Sequence, residues 1–285
     1  MTIITINNKK VPLSIIDKLV KDIKKKKGLQ NMDENFIKEE IKKFLKHNSK
    51  NLKTLITHKK PEKSKEYKEI IKSTRKTLHK IYGAFKTKKI NKLLQEKNYK
   101  EILTMHKSTK ERLDIYPTIY KKIFSITGKP KKIIDLGCGL NPFSIPYMKL
   151  KNIEYTAVEL NKKDCKTIQK YFDKENIKGK AVPINLQEIK TNKKLLEKIP
   201  ESDICFLFKV IDSIELTKKH KTSEQLIKAI PAKYIIASFP TKTLSGKKMN
   251  HPRRGWIEKM LERIGYTYKI IKEKNEIFYV IKKQD

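Results

Sequence analysis

Residues 131–142 read Lys131-Lys132-Ile133-Ile134-Asp135-Leu136-Gly137-Cys138-Gly139-Leu140-Asn141-Pro142. The apolar, β-branched run predicts a buried strand that ends in a glycine turn. Glycines after a first strand let the backbone approach a ligand closely. Asn141 can cap the helix that follows, and Pro142 suits its first position. Pro146 in an early turn makes that helix short or bent. A dinucleotide cradle needs Gly-x-Gly-x-x-Gly. Pro142 stands where the third glycine would be, so a pyrophosphate site is poorly supported.

Outward from this turn the same strand signal recurs. Strands are predicted at 131–137, 153–160, 179–185, 203–210, 232–240, 266–273 and 276–282. Helical stretches separate most of the first five, and a short Lys-Asn turn joins the last two as a hairpin. That alternation predicts an α/β fold: a doubly wound, largely parallel seven-stranded sheet with an antiparallel edge. Toward the N-terminus the period becomes helical. Apolar positions at helical spacing fall in four groups: Leu13 to Ile23, Phe36 to Leu45, Tyr67 to Ile81, and Ile90 to Leu103. The expected division is an all-helical domain over 1–104 and an α/β domain over 105–285.

Charge narrows the partners. The 285 residues hold 68 Lys plus Arg against 31 Asp plus Glu, a formal charge of +37. A compact protein repels itself at that charge unless a polyanion is its partner, and nucleic acid is the first candidate. The first 130 residues hold 35 basic and 13 acidic side chains, so the N-terminal domain is the expected RNA-docking module. Only Arg75, Arg112, Arg253, Arg254 and Arg263 are arginines. Lysine is a point charge suited to phosphate, and arginine forks suit base edges, so backbone binding is favoured. No run of 18 apolar residues is present, which excludes a membrane-spanning helix. The three cysteines, Cys138, Cys165 and Cys205, form no Cys-x-x-Cys. They read as buried, reduced thiols of a cytoplasmic protein, with no metal site.

The form Asp-x-Gly-x-Gly at 135–139 resembles motif I of class I S-adenosylmethionine (SAM) methyltransferases. Glu159 ends the second strand, where a carboxylate can accept hydrogen bonds from both ribose hydroxyls. Exocyclic-amine methyltransferases carry Asn/Asp-Pro-Pro-aromatic after the fourth strand, and here that strand runs on through Lys209-Val210-Ile211-Asp212 without it. Carbon-5 cytosine chemistry needs a placed cysteine nucleophile, and none is present. A ring nitrogen such as guanine N7 needs neither. Its lone pair is free at neutral pH, so alignment suffices.

Several segments then match one family in order: Leu78-His79-Lys80-Ile81-Tyr82-Gly83-Ala84-Phe85; His106-Lys107-Ser108-Thr109-Lys110-Glu111-Arg112-Leu113; Tyr120 to Phe124; Asp135 to Phe143; Leu207-Phe208-Lys209; and Ser238 to Leu244. The chain resembles the aminoglycoside-resistance 16S rRNA (guanine-N7) methyltransferases of the Arm/Rmt/Sgm, FmrO-like family. The resemblance implies a class I SAM methyltransferase with a Rossmann-like seven-stranded sheet. It also implies the decoding site of the small ribosomal subunit as target and SAM as cofactor; a monomer is expected. It implies that Phe85, His106, Lys107, Ser108 and Arg112 line the cofactor pocket, with Arg112 on the methionine carboxylate. Asp135, Gly137 and Gly139 would lie beneath the methionine part, Glu159 at the ribose, Asn185-Leu186 at the adenine, and Phe208 against the cofactor. Lys209, Lys247, Lys248, Met249, Arg253 and Arg254 would meet RNA. The family has a longer, Gly-rich loop after the fifth strand, so the stretch 245–254 departs from it. Three alternatives stay open at this point: another ring nitrogen, another RNA such as tRNA, or a ribosome-binding factor that keeps the fold without turnover.

Overall fold

The computed structural model describes all residues except 1, 2, 27, 31, 82–86, 187, 189–198, 216–219, 243–247, 251 and 285, with backbone alone at 79–81 and 87–89. The chain divides into two compact units, Met1–Phe85 and Lys86–Asp285.

The first unit begins with a two-stranded antiparallel hairpin, β1 (Ile3–Ile6) and β2 (Lys9–Pro12). This corrects the wholly helical reading of the segment. The turn residues Asn7 and Asn8 have φ +49° and +60°, the left-handed pair that a tight hairpin turn requires and asparagine tolerates. Four helices follow: α1 (Leu13–Lys24), α2 (Glu34–His47), α3 (Ser49–Thr57) and α4 (Lys65–Ile81). The Asp33 side chain caps α2 by accepting from Phe36 N at 2.9 Å. One face of each helix is buried, including Ile16, Leu19 and Ile23 of α1, Ile37 and Ile41 of α2, and Tyr67 and Ile70 of α4. The lysines stay on the opposite faces, as amphipathic periodicity demands.

The second unit starts with α5 (Thr87–Gln95), α6 (Tyr99–Thr104), α7 (Lys107–Arg112) and α8 (Tyr116–Thr127). The division therefore precedes the expected boundary at 104/105. The reason is apolar: Tyr99 of α6 sets its ring 4.9 Å from Tyr171 and 6.3 Å from Phe143, both part of the sheet's helical cover. Then come β3 (Lys132–Leu136), α9 (Ile145–Met148), β4 (Glu154–Glu159), α10 (Lys162–Lys174), β5 (Lys178–Pro183) and β6 (Ser202–Phe208). The chain ends with α11 (Ile211–Ile214), α12 (Lys221–Ala229), β7 (Ala232–Pro240), α13 (Gly255–Arg263), β8 (Thr267–Lys272) and β9 (Glu276–Lys282). All seven expected strands of this unit are present. They form one sheet in the order β5-β4-β3-β6-β7-β9-β8. The first five are parallel, and β9 is antiparallel to both β7 and β8. Parallel strands are covered on both faces, which is why β3 and β6 read as continuous apolar runs. The three cysteines are buried and free. Among the described residues no helix is long and apolar enough to cross a membrane.

Candidate active site

Strand order reverses at β3, whose neighbours β4 and β6 lead off in opposite directions. Ligands of open α/β sheets bind beyond the carboxyl ends of the strands at such a point. The glycine turn follows β3 directly into this crevice. Gly137 has φ +65° and Gly139 +52°, conformations that glycine adopts without strain. A Cβ on Gly137 would lie 2.7 Å from Val210 Cγ2, whereas one on Gly139 would meet nothing within 4 Å. Gly137 is thus fixed by the chain pressing from the end of β6, and Gly139 leaves open space over the turn.

The polar side chains under the turn hold its shape. Asp135 Oδ2 accepts from Asn141 Nδ2 at 2.9 Å and from the Tyr155 hydroxyl at 2.6 Å. Asn141 Oδ1 accepts from the Tyr116 hydroxyl at 3.0 Å. Asn141 therefore ties the turn to β3 and α8 instead of capping a helix. Only a single 3₁₀ turn and the four-residue α9 follow it. Burial pushes the Asp135 carboxyl up to about 6, against the hydrogen bonds from Tyr155 and Asn141 and the nearby charge of Arg112. Asp135 supports the turn from below, and its own carboxylate is spent on those two donors.

Glu159 ends β4 at the rim of the crevice. Its Oε2 accepts from Gly139 N at 3.0 Å and its Oε1 from Leu160 N at 2.8 Å. A carboxylate offers about four acceptor positions, more than its backbone partners use, so acceptor capacity remains for a hydroxyl donor. Burial raises its carboxyl above the ordinary range, and the backbone N–H groups oppose the shift. The end of β5 lies alongside, with Ile184 N donating to Glu159 O at 3.0 Å. Asn185 and Leu186 follow there; Leu186 is buried, and Asn185 donates to Glu188 at 3.1 Å.

Arg112 closes α7 and is 2% exposed. Its Nε donates to both carboxylate oxygens of Glu276, at 3.0 and 2.9 Å. Its guanidinium lies 4.8 Å over the Phe208 ring at the end of β6. Phe208 is itself held by Phe206 at 4.7 Å and Phe278 at 5.5 Å. Arg112 Nη2 is buried and has no hydrogen-bond partner. An orphaned charged donor of this kind is costly, and a ligand carboxylate is the acceptor that suits a guanidinium. His106 precedes the same helix. Burial first, then the charges of Arg112 and Lys209, push its imidazole down to about 4, so it is neutral at pH 7. Ser108 is half-buried in the first turn, and Lys107 is exposed, 3.9 Å from Glu111. An unpartnered guanidinium nitrogen on Arg112, a carboxylate at the end of β4 and open space at Gly139 are chemically compatible with S-adenosylmethionine.

The expected RNA face is rearranged. Lys209, also at positive φ (+58°), turns inward: its ammonium pairs with Glu111 at 2.7 Å and Glu276 at 3.2 Å and is only 11% exposed. Arg254 donates to the carbonyls of Pro252 at 2.9 Å and Pro240 at 3.3 Å and lies 5.3 Å over Phe239. Arg253 is paired with Glu258. Lys209 and Arg254 thus hold partners within the protein, whereas Arg253 is 53% exposed in a surface ion pair. Lys248 is exposed, and Met249 is half-buried beside it. Phe85 and Lys247 lie outside the described residues. Reading the sequence missed Glu276, which also accepts from Ser238, and missed the roles of Asn141 and Tyr116. A signal for Glu276 existed: a carboxylate opening an otherwise apolar strand, at the edge where Arg112 needs a counter-charge.

Comparison with known proteins gives a consistent result. The family described as "Ribosomal RNA methyltransferase (FmrO)" matches residues 52–280. A 16S rRNA (guanine(1405)-N(7))-methyltransferase of Proteus mirabilis is 26% identical over 243 residues, 75% of this chain and 84% of that protein. A protein of the same name from Serratia marcescens is 27% identical over 228 residues, 77% of this chain and 85% of its own. Among solved structures, 16S rRNA methyltransferase RmtF in complex with S-adenosyl-L-homocysteine has a TM-score of 0.71 at 21% identity, covering 94% of this chain and 98% of its own. The 16S rRNA methylase RmtB has a TM-score of 0.68 at 21% identity, with the same coverage.

Proposed function

The chain belongs to the FmrO family of ribosomal RNA methyltransferases, and from that premise we propose that it methylates N7 of a guanine in the decoding site of 16S rRNA, on the small ribosomal subunit, with S-adenosylmethionine as donor. When bound, S-adenosylmethionine supplies an electrophilic methyl group on a sulfonium. The observation that carries the reading is the buried, unpartnered Nη2 of Arg112, in a chain whose glycine turn leaves open space at Gly139. Arg112 would bind the donor's carboxylate while Glu276 and Phe208 hold its guanidinium in one orientation. Glu159 would take a ribose hydroxyl with the acceptor capacity its backbone partners leave free. Asn185 and Leu186 would flank the adenine. Guanine N7 carries no proton at neutral pH, so no side chain has to remove one before attack. The protein's task is alignment, which can lower a barrier substantially without acid–base help. Neutral His106 suits a pocket that must admit a positively charged sulfonium without adding another positive charge.

The first unit is proposed as the rRNA-docking module. It holds 23 basic and nine acidic side chains. A groove of about 540 Å³ between α1 and α4 is walled by Lys25, Lys26, Lys68, Lys72 and Lys76. Lys68, Lys72 and Lys76 recur every four residues, a rise of about 6 Å per step along one helix face. Among the described residues no acid pairs with Lys26, Lys68, Lys72 or Lys76. A row of free ammonium groups is suited to successive phosphates of one strand.

Tritium-labelled S-adenosylmethionine offered with intact small subunits, free 16S rRNA and tRNA tests the reading. The expected result is label in the 16S rRNA of intact subunits. Label confined to tRNA overturns it.

A further inference from the structure

We propose that a second RNA-contacting pocket lies at the carboxyl edge of the sheet, where the loop after β7 meets the β8–β9 turn, and that it holds a nucleotide flanking the target guanine. This rests on the reading of the chain as an rRNA methyltransferase. The cavity is about 460 Å³, within the roughly 300–1,000 Å³ range of small-ligand sites. Its apolar wall is Met249, Pro252 and Ile277. Its rim carries Lys248, Lys272 and Lys274, whose side chains have no acidic partner among the described residues. The lining acid, Glu273, is already neutralised by Lys122 at 2.6 Å. Arg253 also lines it but is held by Glu258. An apolar wall under three unpaired ammonium groups matches a base with its phosphate, and matches neither an acidic peptide nor an uncharged metabolite.

Position supports the same ligand. Thr241 lines the pocket and follows β7, the strand beside β6, whose end carries Lys209. Adjacent strands lie about 4.8 Å apart. The pocket is thus beside the methyl-transfer crevice, within reach of the next nucleotide of the same RNA strand. A base taken out of its stack costs a few kcal/mol to extrude, and holding its neighbours keeps it available. Inward-turned Lys209 and Arg254 leave that holding role unfilled, and Lys248, Lys272 and Lys274 fill it. The turn Lys272-Glu273-Lys274-Asn275 is fixed to the loop by Thr241, which donates from N to Asn275 O at 3.1 Å and from its hydroxyl to Lys274 O at 3.2 Å. The two walls therefore stand as one preformed site.

The test is steady-state kinetics of full-length protein on intact small subunits. Lys272→Ala/Lys274→Ala removes two rim charges. Lys269→Ala/Lys282→Ala removes the same charge from exposed positions of the same hairpin that do not line the pocket. The pocket pair is expected to raise the KM for subunits at least tenfold and to lower the salt slope of subunit binding by about two. S-adenosylmethionine affinity should stay within twofold, and the control pair should stay within threefold of wild type. Equal KM values in the two double variants, with an active wild type, overturn the pocket alone. A wild type that methylates no subunit RNA overturns the underlying reading and the pocket with it.

Discussion

Arg112 Nε donates to both carboxylate oxygens of Glu276, across 164 residues of sequence and at 2% and 1% exposure. The pair joins the helix before the sheet to its last strand. It leaves one guanidinium nitrogen, the buried Nη2, without a partner. Removing one partner of a buried pair strands the other charge and costs about 3–5 kcal/mol. Here Lys209 still faces Glu276 at 3.2 Å, so the two ends of the pair are not equivalent. Arg112→Ala leaves Glu276 with a cation, whereas Glu276→Gln leaves the buried Arg112 facing a neutral amide while Lys209 keeps Glu111.

Glu276→Gln should accordingly destabilise the protein more than Arg112→Ala, by about 1–2 kcal/mol in denaturant unfolding. Arg112→Ala should weaken S-adenosylmethionine binding by about 1.5–3 kcal/mol, the value of a hydrogen bond to a charged group. Titration calorimetry that finds unchanged affinity for Arg112→Ala refutes its carboxylate role.

The two turn glycines should respond differently to alanine. Both have positive φ, a strain of about 1–2 kcal/mol for an L-residue. Gly137→Ala also drives a methyl to within 2.7 Å of Val210 and should lower the melting temperature further. Gly139→Ala meets nothing in the protein and should cost little beyond the backbone strain, yet it should weaken S-adenosylmethionine binding because the methyl occupies the open space. Equal losses of stability in the two variants contradict this division.

His106 sets a pH dependence. Its folded value, about 4, is depressed below the ordinary 6.5, so the unfolded chain binds the proton first as pH falls. Its contribution is present above pH 6.5 and is lost as pH falls toward 4. Partial exposure limits the loss to about 1–2 kcal/mol. Unfolding free energies of wild type and His106→Gln, measured from pH 7 to pH 4, should diverge in that direction. Parallel curves rule it out.

The lysine row on α4 should act through salt. Each phosphate contact contributes about 0.7–0.9 to the slope of log K against log salt. Lys68→Ala/Lys72→Ala/Lys76→Ala should thus lower the slope for subunit binding by two to three without altering S-adenosylmethionine affinity. Arg75→Ala is the contrast. Its guanidinium donates to Asp22 O and Ile23 O at the end of α1, so it should lose stability and leave the slope nearly unchanged.

Much of this molecule is legible in the sequence because its signals are local. The central strands of the sheet, β6 above all, are apolar runs, and the glycine turn, Glu159 and Arg112 sit in recognisable segments. The departures have identifiable causes. The first hairpin has strands of four residues, too short for a periodic signal, and only the Asn7-Asn8 turn announces it. Helices α5 and α6 look like their N-terminal neighbours in composition, and only the packing of Tyr99 on Tyr171 assigns them to the sheet. Lys209 and Arg254 look like surface cations until long-range partners, Glu276 and the Pro240 carbonyl, take them in.

The central claim is methyl transfer to N7 of a guanine in the small subunit. Borohydride–aniline treatment breaks RNA at N7-methylguanine. Small subunits incubated with the protein and S-adenosylmethionine should yield one new strand break in 16S rRNA, at a guanine of the decoding site, absent without the methyl donor. Stoichiometric methyl incorporation with no such break contradicts the account.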